Sequence, residues 1–147
     1  AALGDVLHAG NAGAVRARLI IEGANAPTTP AANAILEDKG TAVVPDILAN
    51  AGGVTVSYFE QVQNAYDYYW ELDIVQQRLD AKMTAAFHAV HKMAQEKSVH
   101  NRLAAYLVAV QRVAEACKLA QEDAVYIEAD YEELYDLPAL PAGGWAP

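Results

Sequence analysis

Cysteine is almost missing from this chain: Cys117 is the only one in 147 residues. A single thiol excludes an internal disulfide and a thiolate-only metal cluster, and it suits a reducing, cytoplasmic compartment. Basic residues are also scarce, ten Lys and Arg against nineteen Asp and Glu, for a net charge of -9. That sign opposes phosphate backbones, so nucleic acid is not an expected partner. No apolar run approaches the roughly 20 residues that cross a bilayer, and the first fifteen residues lack a basic start followed by an apolar stretch. Neither a membrane span nor Sec export is expected. A glycine-rich phosphate loop is lacking too, because Gly10-Asn11-Ala12-Gly13 would need glycine in place of His8 and does not follow a strand. There is no internal repeat.

What is present is a chain of one-domain length, 54% hydrophobic, long enough to bury about two-thirds of its unfolded surface. Its charge is uneven. All ten basic residues lie at or before Lys118, whereas positions 119–147 carry seven acids and no base, interleaved with Tyr126, Tyr131 and Tyr135 and closed by prolines and glycines. This reads as an acidic extension, helical near 129–135, that is either a solvated tail or a contact for a partner.

The first half alternates helix and strand signals. Asn11 is a candidate cap for a short helix ending near Ala17, and Leu19-Ile20-Ile21 is a brief aliphatic strand. Thr29-Pro30 places a capping hydroxyl before a proline at the first helical position, and Gly40 is the stop. Thr41-Ala42-Val43-Val44 is a second strand halted by Pro45, and a helix is expected from about Ala51 to Asn64. Helix, strand, helix, strand, helix predicts an α/β fold with an incomplete doubly wound parallel sheet. In the second half, Leu72, Val75, Leu79, Met83, Ala86, Val90 and Met93 recur at helical spacing, as do Leu103, Leu107, Val110, Ala114 and Cys117. The short polar break Glu96–His100 between them predicts an antiparallel helix pair.

Two segments carry candidate chemistry, each following a strand, where ligands of open α/β sheets bind. In Glu22-Gly23-Ala24-Asn25-Ala26-Pro27, Asn25 offers an amide donor and acceptor to a carboxamide, or the segment is simply a turn. In Pro45-Asp46-Ile47-Leu48-Ala49-Asn50-Ala51-Gly52-Gly53-Val54-Thr55-Val56-Ser57, two glycines open a helix whose positive end suits a carboxylate or phosphate. Ser57 adds a hydroxyl there, or bonds to its own preceding turn. His88, His91 and His100 have no acid at ligand spacing, so no metal site is expected. Cys117 on its apolar stripe reads as a small core residue, and Tyr66, Tyr68, Tyr69 and Trp70 as anchors at a packing surface or interface.

The run from Ile21 to Asn64, and above all Val43 to Glu60, closely resembles the cofactor domain of the glutamate, leucine, phenylalanine and valine dehydrogenases, most of all the glutamate-specific members. The similarity extends from Ala1 to about Ala116. The resemblance implies that residues 1–118 are the C-terminal part of an NAD(P)-binding domain and that 119–147 are an appended tail. It implies that Asn25 and Asn50 meet the nicotinamide-ribose end of NAD(P), and that Val54 and Ser57 line the pocket for glutamate or 2-oxoglutarate, Ser57 touching the distal carboxylate. The family's catalytic Lys and Asp belong to an N-terminal domain that these 147 residues do not include. Departures are Ala26 for glycine, Gln61 for tryptophan, and Asn101 and Leu103 for the usual Met and Asp. The expected protein is an oxidoreductase fragment, inactive and weak in cofactor binding by itself, that forms a homo-oligomer or assembles with the missing N-terminal part. The alternative is a non-catalytic binding or regulatory module.

Overall fold

The computed structural model describes the backbone of residues 3–135 and the side chains of residues 3–121. Two compact units divide after Val108. The first holds helix α1 (Ala9–Ala12), strand β1 (Leu19–Ile21), α2 (Pro30–Asp38), β2 (Ala42–Val44), α3 (Asp46–Ala49), α4 (Ala51–Tyr66), α5 (Leu72–Lys97) and the start of α6 (Asn101–Tyr135). Among the described residues the second is the remainder of α6. No helix among the described residues is long and apolar enough to cross a membrane.

Local chemistry accounts for most boundaries. The Thr29 hydroxyl accepts the Ala32 N–H at 3.3 Å and Pro30 opens α2. The helix closes in a Schellman turn: Gly40 at φ +70° lets its own N–H reach the Glu37 carbonyl (2.8 Å) and the Thr41 N–H reach the Leu36 carbonyl (2.9 Å). Helix α5 ends the same way with a serine in glycine's place, Ser98 at φ +53°, the Val99 N–H bonding to Ala94.

At the N-terminus the expectation was wrong in detail. His8, not Asn11, caps α1: its Nδ1 accepts the Gly10 N–H at 3.2 Å, and the Asn11 amide oxygen reaches back to the His8 N–H at 2.9 Å. The helix stops at Ala12 instead of Ala17 because the Lys39 ammonium binds the Ala12, Gly13 and Val15 carbonyls, at 3.3, 2.7 and 2.7 Å, and draws the chain out of the helix.

β1 and β2 pair in parallel, with Leu19 opposite Ala42, Ile20 opposite Val43 and Ile21 opposite Val44. The crossover is α2. Two small cores flank the strands. Ile20 packs with Ala12, Ala32 and Leu36. Val44 packs with Leu48 of α3, Val90 and Ala94 of α5, and Ala104 and Ala105 of α6. Leu19 and Ile21 are left 53% and 62% exposed. The helix-rich α/β class therefore stands, with a sheet of two strands among the described residues. In the second unit Cys117 is exposed rather than a core residue, since among the described residues the helix has no facing element within its own unit to cover an apolar stripe. α6 runs without a break through 118 to Tyr135. The side chains of Tyr126, Tyr131 and Tyr135 and the closing prolines lie outside the described residues.

Candidate functional site

Parallel pairing puts the carboxyl ends of β1 and β2 side by side, so the chain leaves both strands at one edge. The ladder continues one residue further, with the Glu22 N–H donating to the Val44 carbonyl at 3.1 Å. From there the first loop turns through Gly23-Ala24-Asn25 and the second enters α3 at once. Asp46 joins them: its carboxylate accepts the Ala26 N–H at 2.7 Å. Ala26 has φ +46°, in the left-handed region that glycine occupies without strain. The substitution of Ala26 for glycine thus falls on a residue whose backbone conformation favours glycine.

The outcome is a direct contact between the two asparagines. Asn50 Nδ2 donates to Asn25 Oδ1 at 2.7 Å. The remaining Asn25 Nδ2–H and Asn50 Oδ1 take no partner among the described residues. They border an open cleft of about 620 Å³, lined by Leu3, Gly4, Gly23, Ala24, Asn25, Asn50 and Val54. Val54, 70% exposed, supplies its apolar wall. A free donor beside a free acceptor is the complement of a primary carboxamide.

Ser57 does not line this cleft. It lies one turn further along α4, exposed, and its hydroxyl donates to the Gly53 carbonyl at 3.2 Å, the bond to the preceding turn. The glycine pair divides its duties. Gly52 faces α5, where an added methyl would sit 3.8 Å from Leu79 and 4.0 Å from Met83, while an added methyl at Gly53 would stand in open space.

A charged group beside the site is absent from the sequence reading. Glu22 is 1% exposed and pairs with Arg102 (Nη2–Oε1 2.5 Å). Arg102 also binds Asp46 (Nη1–Oδ1 3.2 Å) and the Asn33 amide oxygen (3.2 Å). Asn101 beside it donates to the Val43 carbonyl at 2.9 Å. Two acids placed next to strand ends were the available signal, but their partner lies 80 residues from Glu22. Of the other candidate groups, Trp70 and His91 belong to packing. Trp70 rests on Phe59 at 5.6 Å between centroids with Arg78 over its ring at 3.9 Å, and His91 stacks on Phe87. Tyr66, Tyr68 and Tyr69 are exposed.

Comparison with known proteins identifies the family. The family described as Glutamate/Leucine/Phenylalanine/Valine dehydrogenase matches residues 1–120. A glutamate dehydrogenase of Thermotoga maritima is 52% identical over 118 residues, covering 80% of this chain and 28% of that protein. An NAD-specific glutamate dehydrogenase of Staphylococcus aureus is 45% identical over the same share of each. Among solved structures, a hetero-hexameric glutamate dehydrogenase from Thermus thermophilus, in a leucine-bound form, superposes with a TM-score of 0.78 at 33% identity, over 82% of this chain and 29% of that one. The chain therefore spans under a third of the length of these relatives. The family match over residues 1–120, with glutamate dehydrogenases 45–52% identical across 118 residues, shows that this chain belongs to the Glu/Leu/Phe/Val dehydrogenase family.

Proposed function

We propose that residues 1–118 form the C-terminal part of the NAD(P)-binding domain of a glutamate dehydrogenase, which interconverts glutamate with 2-oxoglutarate and ammonia, and that 119–147 are an acidic extension. In this reading β1 and β2 are the last part of a doubly wound sheet. The observation that carries it is the asparagine pair, whose unused donor and acceptor border an open cleft at the carboxyl edge of the strands.

NAD(P) supplies the hydride acceptor or donor. Asn25 and Asn50 would hold and orient its carboxamide, with the unused Asn25 Nδ2–H as donor and Asn50 Oδ1 as acceptor. Val54 would line the adjoining pocket for the amino-acid substrate. Ser57 reaches the distal carboxylate of the amino acid only by withdrawing its proton from the Gly53 carbonyl, a bond it holds without ligand. The hydroxyl is thus a donor in reserve.

The test is a chimaera in which residues 1–118 replace the matching segment of the Thermotoga maritima enzyme. It is expected to form NAD(P)H in a glutamate-dependent reaction, with Asn50→Ala raising KM for the nucleotide about tenfold, about the worth of one hydrogen bond. A folded, inactive chimaera refutes the reading and favours the non-catalytic module.

A further inference from the structure

The charged group beside the cleft has no part in the reading above, yet its Asp46 branch bonds at or beside both asparagines. Arg102 is 18% exposed in its side chain, and its three guanidinium nitrogens are divided among Glu22, Asp46 and Asn33. Asp46 is the branch point. Its Oδ1 faces Arg102, while its Oδ2 accepts the Ala26 N–H at 2.7 Å, the residue next to Asn25. Its backbone N–H donates to Glu22 Oε2 at 2.9 Å, and its carbonyl accepts the Asn50 N–H at 3.0 Å. One residue therefore bonds to the backbone at or beside each asparagine, and one guanidinium fixes that residue's carboxylate.

Net stability is a poor reason for such a group. Two carboxylates and one guanidinium removed from water recover little more than their desolvation cost, and apolar packing of the same volume often does as well. What an Arg fork supplies that apolar packing cannot is direction, because its donors lie in one plane at fixed angles. The left-handed turn at Ala26 also needs an external hold, since alanine resists that conformation by about 1–2 kcal/mol.

We propose that Arg102 and Asp46 are positioning residues that set the Asn25–Asn50 contact through the Ala26 N–H. The proposal rests on the cofactor reading only for what the pair meets, and it stands or falls on the geometry of the pair.

The test is ¹⁵N-resolved NMR on the full 147-residue chain, comparing Arg102→Lys and Asp46→Ala with the parent. Lysine keeps the charge, but one ammonium cannot span Glu22, Asp46 and Asn33 together. Alanine at 46 cuts the route and leaves the Arg102–Glu22 pair in place. In both variants the Ala26 amide is expected to exchange at least about tenfold faster, as befits a lost bond to a charged acceptor. The Asn50 side-chain amide resonances are expected to move to the positions of a free amide, while the Leu36 and Val90 amides keep their protection. If protection at Ala26, Leu36 and Val90 falls by one common factor, the role is merely structural and the proposal is overturned. It is overturned equally if folded Asp46→Ala keeps the Asn50 signals of the parent. Should Arg102→Lys fail to fold, Asp46→Ala decides alone. The cofactor reading fails separately, when Asn50→Ala leaves nucleotide KM unchanged in an active chimaera.

Discussion

Single residues at positive φ show where this chain departs from the easiest solution. Ala26 and Ser98 occupy the left-handed region at +46° and +53°, whereas Gly40 at +70° satisfies it. Removing a Cβ from such a conformation relieves about 1–2 kcal/mol, and the extra freedom of glycine in the unfolded chain returns part of that. Ala26→Gly and Ser98→Gly are therefore each expected to stabilise by about 0.5–1 kcal/mol, and Gly40→Ala to destabilise by about 1 kcal/mol, in urea unfolding of the whole chain. An unchanged midpoint for all three would show that these turns are held entirely by their surroundings. Gly40 was legible as a stop because glycine is itself the signal. Ala26 was legible only as an odd residue in a family pattern, because nothing in alanine announces a left-handed backbone.

At the scale of elements, the parts written in local chemistry could be read and the parts written in distant contacts could not. Thr29-Pro30 and Gly40 bounded α2 correctly, and both three-residue strands were found from short aliphatic runs. Helix α3 was missed. Four residues, Asp46 to Ala49, are too few to show a period, and only Leu48 marks the face they bury. α1 was misplaced because Lys39, 26 residues beyond Gly13, ends it. The asparagine pair was half legible: both residues were chosen, but their contact depends on Asp46 and Arg102. Leu48 is the element-scale test. It lies 6% exposed where α3, the end of α5 and the start of α6 share a core with Val44. Leu48→Ala is expected to cost about 2–4 kcal/mol by calorimetry or urea titration, more than most truncations in a chain this size, because three elements lose one contact. A loss under about 0.5 kcal/mol would mean that this core closes around the gap.

For the molecule as a whole, the question is what covers the sheet. Two parallel strands among the described residues leave backbone groups unpaired at both edges, and Leu19 and Ile21 stand open on one face. Self-association is the expected response, a two-fold dimer being the commonest closed form. Sedimentation at micromolar concentration should give a mass of two or more chains, and a monodisperse single chain would contradict this. The purified chain is also expected to form no NAD(P)H from glutamate and to bind the nucleotide more weakly than millimolar. Asn25 and Asn50 contact only its nicotinamide end, and no glycine-rich loop is present for the pyrophosphate. A saturable micromolar calorimetric signal, lost in Asn50→Ala, would overturn that expectation. The long reach of the Glu22–Arg102 pair has a consequence in time as well as in space. At ordinary rates of synthesis of roughly 5–20 residues per second, the 80 residues between the two partners take the ribosome roughly 4–16 s. Over that interval the strand pair and its crossover helix can close, but Glu22 has no counter-charge and must keep its water. The nascent domain therefore waits with its sheet edge wet, and the emergence of Arg102 is the event that lets it dry.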